Sequence, residues 1–549
     1  MKSLMNKILI VFVFVGLTLS CSKDALREYD TLQQLNAVES LNDPFLLSSI
    51  LKQTSVYYAK QGFSTTAFPG AVQYIEKNYQ GGDNYYSSFK QPSTNMYDAM
   101  TIIGLIDSSI KLATERGSKS YTGVFTVFRV MLFEYVTACY GDVYYTEALK
   151  GREGILYPKY DKQSDIYKGL LAELDQAATL IQSGTETIDP TYDLMYGGDK
   201  TKWLKLCNSL KLRLVMRESS KISDAGTKLT AIAASSLLST VSDNAKIQFT
   251  GTTTDNSWQM GALNTPDIGG LDRMRPSKTL VDMMVDLNDP RVQIWFAPIE
   301  NPWTTDQAKN GTKVTTTDPN GYSYTSTWEY IDVTNASIKA QVDAGNILDK
   351  DKLYAGYIAG MPGDWKNGNG NWNVASSGAY GNYKVSRFST LFRQNAHKYL
   401  QATVMNADEV QFNLAEAAAK GLISGNVNTY YTAGITAALQ RWGVSDAAIT
   451  AYLAQDKVKL PTDKAGQLQK IATQKWLGLF CNAPEAYFDI RRTGLPNIFS
   501  NGYLSNYQFP VRLRYPSNEL GQNLDAYNLG ISTLTPAEDT QFAKMWLLQ

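Results

Sequence analysis

Histidine is almost absent from this chain, with one in 549 residues. That excludes a multi-histidine metal centre and the paired histidines of a HExxH protease. Excess charge of either sign is absent too, with 52 basic and 52 acidic residues. A balanced chain carries no electrostatic footprint for nucleic acid. It is also too apolar and too neutral for intrinsic disorder. Cysteine is scarce, and the 4 present are spread too widely for a disulfide scaffold. Tyrosine is what is plentiful: 34, against 19 phenylalanines and 10 tryptophans. Its ring has an apolar face and a polar tip, which suits half-wet surfaces that contact ligands. The length suits three or four domain-sized units or one large repeat domain.

Residues 1–20 read as a signal peptide. Lys2 and Lys7 supply the positive start, and 8–19 is an apolar run broken only by Gly16 and Thr18. The run is shorter than the roughly 20 residues a bilayer span needs. It closes on Leu17-Thr18-Leu19-Ser20-Cys21, where a small residue precedes a cysteine. This resembles a bacterial lipobox, with Cys21 as the lipidated N-terminus, although Thr18 stands where a lipobox prefers leucine. Ser22-Lys23-Asp24 resembles the surface-export signal of Bacteroidota lipoproteins. No later stretch is expected to be long and apolar enough to cross a membrane. Anchoring is therefore expected through lipid at the outer-membrane surface, with the polypeptide in water. Cys139, Cys207 and Cys481 then remain, each in an apolar helical context, and are expected as buried free thiols.

The body predicts a mainly α chain. Phe125, Phe128, Leu132, Val136 and Cys139 recur at steps of three and four, the signature of one helix face. Asp165 is placed to cap a helix over 166–181, with Leu170, Leu174 and Ala177 on one side. A similar helix covers 203–216. Asn406 is placed to cap 407–421, with Asp408 and Glu409 where the helix dipole favours acids. The small residues Ala415, Ala417, Ala418 and Ala419 then allow a neighbouring helix to come close. Helices are also expected over 430–442, ended by Gly443, and over 468–480. Pro484 suits a first helical position, and Gly494 and Pro496 stop that helix after Arg491 and Arg492. Helix, short turn, helix is the pattern of a helical-hairpin array. Between about 243 and 396 the pattern is lost, and Gly, Asn, Thr, Asp and Pro take over. Long loops of this kind are usually functional or disordered, and the many aromatics here argue against disorder. The expected division is a helical part over 21–242, a loop-rich insertion over 243–405, and a C-terminal helical part over 406–549 that closes the same domain.

Several segments together resemble the SusD/RagB family of nutrient-binding outer-membrane lipoproteins, and its SusD-like branch in particular. Tyr140-Gly141-Asp142-Val143-Tyr144-Tyr145-Thr146-Glu147-Ala148 is similar to a family motif in which Tyr144 is often proline. Leu414-Ala415-Glu416-Ala417 is similar to the family's Glu-Ala helix. Glu485-Ala486-Tyr487-Phe488-Asp489-Ile490-Arg491-Arg492-Thr493-Gly494 resembles its late signature, and Tyr515-Pro516 with Glu519 fits the end. No single motif is specific, but their order is. The resemblance implies a tetratricopeptide-like helical superhelix with a loop-rich ligand face. It also implies a partner, a TonB-dependent (SusC-like) outer-membrane transporter, and an oligosaccharide or peptide ligand. Read as residues, the motifs are structural: Tyr140-Gly141-Asp142 fixes a helix exit, and Arg491 and Arg492 suit an internal ion-pair network with Glu485 or Asp489.

Sugars offer C–H faces that stack on rings and hydroxyls that pair with Asn, Asp and Arg, so a glycan site needs exposed rings beside planar polar groups. The densest stretch of that kind is 360–373, which holds Trp365 and Trp372 and continues to Tyr380. A second is Gly81-Gly82-Asp83-Asn84-Tyr85-Tyr86, and a third contains Trp258. The expected ligand contacts are Trp365, Trp372, Tyr380, Tyr85, Tyr86, Asn84 and Trp258. Against each stands the possibility that the ring pins its loop to the scaffold. Capture of a glycan or peptide needs no catalytic residue, cofactor or metal. A surface glycoside hydrolase would need two carboxylates at a fixed separation, and nothing in the sequence marks such a pair. The lone His397 reads as a surface or satisfied residue. A third reading has the loops only seal the transporter. The Asp and Asn residues near 364–371 lack the order of an EF-hand calcium loop.

Overall fold

The computed structural model describes residues 41–63, 67–77, 86, 89, 95–264, 274–343, 349–358, 384–498 and 507–549. The first helix, α1 (Asp43–Gly62), is capped by Asn42, whose side chain accepts the Phe45 N–H at 3.1 Å. A short α2 (Ala67–Ala71) and strand β1 (Ile75–Lys77) follow. Four long helices come next, each packed on the one before: α3 (Asn95–Glu115), α4 (Lys119–Tyr140), α5 (Gln163–Ser183) and α6 (Lys200–Glu218). α7 (Ala225–Ala233) closes this stack against α6. The helical-hairpin array is therefore present, and its ends differ from expectation only locally. α5 starts at Gln163, so Asp165 sits in its first turn and favours the dipole without capping.

One expectation needs correcting. α4 is long and apolar enough to cross a membrane by length and composition. Its apolar girth has another cause: it runs through the middle of the stack, touching α1, α3, α5 and α6, and is buried on nearly every side.

The chain between this stack and the C-terminal helices consists of short pieces. They are β2 (Ala245–Gln248), β3 (Met274–Pro276), α8 (Lys278–Asp286), α9 (Val292–Trp295), β4 (Phe296–Ala297), β5 (Trp303–Thr304), β6 (Lys313–Thr317), β7 (Ser323–Thr327), β8 (Glu329–Tyr330), α10 (Ala336–Asp343), β9 (Arg387–Phe388) and β10 (Gln401–Met405). The strands pair only in twos: β1 with β3, β2 with β10, β4 with β9 and β6 with β7 antiparallel, and β5 with β8 parallel. Because β2 pairs with β10, the two ends of this segment meet beside α1.

Helices then resume with α11 (Ala407–Lys420), α12 (Val427–Gln440), α13 (Asp446–Leu453), α14 (Lys464–Gly478), α15 (Ala483–Thr493), α16 (Glu519–Gln522) and α17 (Leu524–Ser532). Asn406 does precede α11, but its side chain makes no capping bond. Gly421 and Gly494 end α11 and α15 in the left-handed region, at φ 77° and 71°. α11 packs on α6, and α15 on α1 and α2, so N- and C-terminal helices share one core.

Buried charges stitch the two halves together. On α6, Arg213 forks onto Glu409 of α11 at 2.6 and 2.7 Å and lies 3.4 Å from Glu485 of α15. Arg217, one turn on, pairs with Glu485 and with Glu134 of α4. Arg492 forks onto Glu416 at 2.6 and 2.7 Å. In the late signature, Glu485, Asp489 and Arg492 thus join an internal ion-pair network, whereas Arg491 donates to the Val511 carbonyl at 2.8 Å. The Tyr140-Gly141-Asp142 segment is a helix exit, with Gly141 at φ 99°. Asp142 accepts the Gln163 N–H at 2.8 Å, so the exit of α4 also caps the start of α5. The Tyr515 hydroxyl donates to the Asp142 carbonyl at 2.8 Å, which binds the first motif to the last. Cys139 and Cys207 are buried free thiols, and Cys481 is half-buried.

Candidate ligand-binding face

The β1–β3 ladder sets Glu76 directly opposite Arg275, both fully buried, and pairs Lys77 with Met274. Opposite charges across a ladder fix its register. Tyr357 extends this ladder: its N–H donates to the Pro276 carbonyl at 2.8 Å, and its own carbonyl accepts the Lys278 N–H at 2.6 Å. Ser386 N–H in turn donates to the Ala355 carbonyl at 2.8 Å. Lys77, which leads toward the Gly81–Tyr86 segment, and Ile358 and Lys384, which flank 359–383, therefore lie about one small ladder. The described ends of both aromatic-rich segments thus lie beside one ladder.

Lys384 is clamped at that root. Its ammonium donates to the Asn301 carbonyl at 2.8 Å, pairs with Glu329 and lies 5.0 Å from the centre of the Trp303 ring. Burial pulls its pKa below the ordinary lysine value. Nothing in the sequence marked Lys384, Glu329 or Trp303, because their partners lie tens of residues apart. Beneath the ladder is a cluster of rings. Phe63 stacks on Phe392 at 5.1 Å and contacts Trp258, Phe388 and Phe480.

Of the expected ligand contacts, Trp365, Trp372, Tyr380, Asn84 and Tyr85 lie outside the described residues, as does Cys21. Tyr86 and Trp258 are described, and for both the expectation of ligand contact needs correcting. Tyr86 is 1% exposed; its hydroxyl donates to the Ala71 carbonyl and accepts from Gln73, each at 3.1 Å. Trp258 is also 1% exposed, held between Phe63 and Phe249. Neither ring offers a face to a ligand. A ring in a Gly/Asn-rich segment is buried when that segment folds back onto an apolar cluster, and the ring then pins the loop. His397 is likewise satisfied: its Nδ1 accepts the Tyr399 N–H at 3.3 Å, and burial lowers its pKa. Among the described residues no group of His, Cys, Asp and Glu is arranged to hold a metal ion.

A family model described as starch-binding, associating with the outer membrane, matches residues 35–516. The chain belongs to the SusD-like family. Solved structures agree on the fold. An outer-membrane protein of Bacteroides vulgatus, titled as involved in nutrient binding, superposes with a TM-score of 0.72 at 20% identity, covering 93% of this chain and 100% of its own. A SusD homologue of Bacteroides fragilis gives 0.71 at 22%, with 93% and 100% covered. A chitin-binding protein gives 0.70 at 23%, with 92% and 100% covered. No curated protein matches the sequence. The SusD-like assignment places the chain among nutrient-binding proteins associated with the outer membrane. Its mainly α, tetratricopeptide-like architecture is the one the ordered motifs predict, and those motifs fall on the core contacts described above.

Proposed function

We propose that this SusD-like protein is a lipid-anchored surface receptor that captures oligosaccharide and hands it to a TonB-dependent, SusC-like transporter. The observation that carries the reading is the family match across 35–516. The described ends of the two aromatic-rich segments, Lys77 and Ile358, lie beside the same β1–β3 ladder, which supports it. Trp365, Trp372, Tyr380, Asn84 and Tyr85 are the proposed contacts, with Tyr86 and Trp258 as loop anchors. Cys21 is the proposed lipid site. Capture and release are the whole task, and no bond is cleaved. A structural relative is named as a chitin-binding protein, so β-linked amino-sugar oligomers head the panel of ligands to try.

The test is retention of the purified protein on immobilised polysaccharides, with chitin oligomers, starch and xylan in parallel with a pool of peptides. Retention by a glycan, competed by its soluble oligomer, supports the reading. Retention by peptides alone, or by nothing, refutes it.

A further inference from the structure

Helices α11, α14 and α15 enclose a cavity of about 210 Å³. At about 30 Å³ per water-sized unit it has room for about seven non-hydrogen atoms. None of its lining belongs to the aromatic-rich segments. Five charged side chains line it: Glu416, Lys420, Lys475, Asp489 and Arg492. Arg492 forks onto Glu416 and reaches Asp489 at 3.0 Å. Lys475 pairs with Asp489 and donates to Asn413 Oδ1 at 2.7 Å. Lys420 reaches Glu416 at 2.6 Å.

The donors and acceptors do not balance. The two buried cations, Arg492 and Lys475, match the two carboxylates, and Lys420, half-exposed at the rim, adds a third positive charge. Both carboxyls remain ionised: burial pushes their pKa values up, but the surrounding cations outweigh it and hold both below the ordinary range. Arg492, with a side chain only 10% exposed, leaves its Nε without an acceptor. Lys475 has three N–H groups and two acceptors. The apolar part of the lining includes Leu468, Ile471, Ala472, Leu495 and Pro496. A buried Arg492 Nε with no acceptor, beside apolar side chains, is a costly arrangement unless an acceptor reaches it.

We propose that this cavity binds a small organic monocarboxylate with a compact branched apolar body. The carboxylate takes up the donors left over by Arg492, Lys475 and Lys420, and the body lies on the apolar lining. Its lining shares no residue with the proposed glycan contacts, and we assign it to a second ligand.

The probe is 3-methylbutanoate, titrated into the purified protein by calorimetry and by ligand-observed NMR. Uncharged 3-methylbutan-1-ol and cationic 3-methylbutylamine serve as comparisons. The carboxylate should bind at least about tenfold tighter than the alcohol, and the amine should not bind. Leu468→Trp fills the cavity and should abolish binding. Lys420→Gln, on its half-exposed rim, should weaken binding by about tenfold without shifting the melting temperature, and it tests the site even where Leu468→Trp fails to fold. No binding up to about 10 mM, binding of the alcohol as tight as that of the carboxylate, or binding unchanged in Lys420→Gln would each overturn the proposal.

Discussion

Tyr160 donates its phenol proton to the Glu519 carboxylate at 3.0 Å, although 359 residues separate the two in sequence. Tyr97 donates to the other oxygen of the same carboxylate at 2.6 Å, and Tyr144 donates to it as well. Three phenols on three separate segments thus converge on one buried acid. This gives a physical reason for tyrosine at position 144, where the family often has proline. Glu519→Ala leaves one buried and two half-buried hydroxyls without their acceptor and should cost about 2 kcal/mol, whereas Glu519→Gln should cost less than half of that. Urea denaturation checks both. Equal losses in the two variants would mean that packing, and not the acceptor, matters.

The Arg213 fork on Glu409 lies in the core with Glu485 beside it. Arg213→Met strands Glu409, leaves Glu485 to Arg217 alone, and should cost about 3–5 kcal/mol. Adding Glu409→Met to it removes the stranded charge and should recover part of the loss. A double variant less stable than the single one would show that Glu409 has no need of this cation.

The helices were legible because their buried faces repeat every three to four residues, as Phe125, Phe128 and Leu132 do. Helix ends were less so, since Asp165 and Asn406 have the right chemistry for caps but other contacts decide where α5 and α11 begin. The two-stranded ladders carry too few residues for any period to show. Glu416, Glu485 and Glu519 could be read as signature residues, yet not as partners of Arg492, Arg213 and Tyr160, because chain topology alone brings those pairs together. In the candidate face the rings were visible and their burial was not. Tyr86 and Trp258 sit among the same Gly, Asn and Asp residues as a solvated ring would, and the cluster that swallows them draws on Phe63 and Phe509, far off in sequence, as well as on nearby Phe249.

Asp408 supplies a prediction that depends on pH. It is buried at the start of α11, and neither carboxylate oxygen has a hydrogen-bond partner. Burial pushes its pKa up to about 6, with nearby Arg441 opposing the shift. The unfolded value is about 3.9, so the folded state holds the proton more tightly. Stability from this group is therefore present below about pH 4 and is lost as pH rises to about 6. Asp408→Asn removes the ionisation. It should be more stable than the parent by about 1–3 kcal/mol at pH 8, and the two should converge near pH 4. Thermal unfolding at both pH values measures this. A gain independent of pH would rule out the titration of Asp408 as its source.

The clearest separation of loop anchors from ligand contacts comes from comparing three tryptophans. Trp258 fills a core position between Phe63 and Phe249, so Trp258→Ala should cost about 3–5 kcal/mol and lower the melting temperature by several degrees. It should weaken ligand binding only through that loss of structure. Trp365 and Trp372 are proposed to stack on sugar rings. Their replacement by Ala should lower glycan affinity by about tenfold or more per ring, since a stacked ring contributes roughly 1–3 kcal/mol. The melting temperature should hardly move, because an exposed side chain away from packed contacts changes stability by less than about 0.5 kcal/mol. Calorimetry with the retained oligosaccharide, beside thermal unfolding of all three variants, separates the two roles. If Trp365→Ala and Trp372→Ala melt early and bind normally, those rings are anchors like Trp258, and recognition must fall to Tyr380, Tyr85 and Asn84.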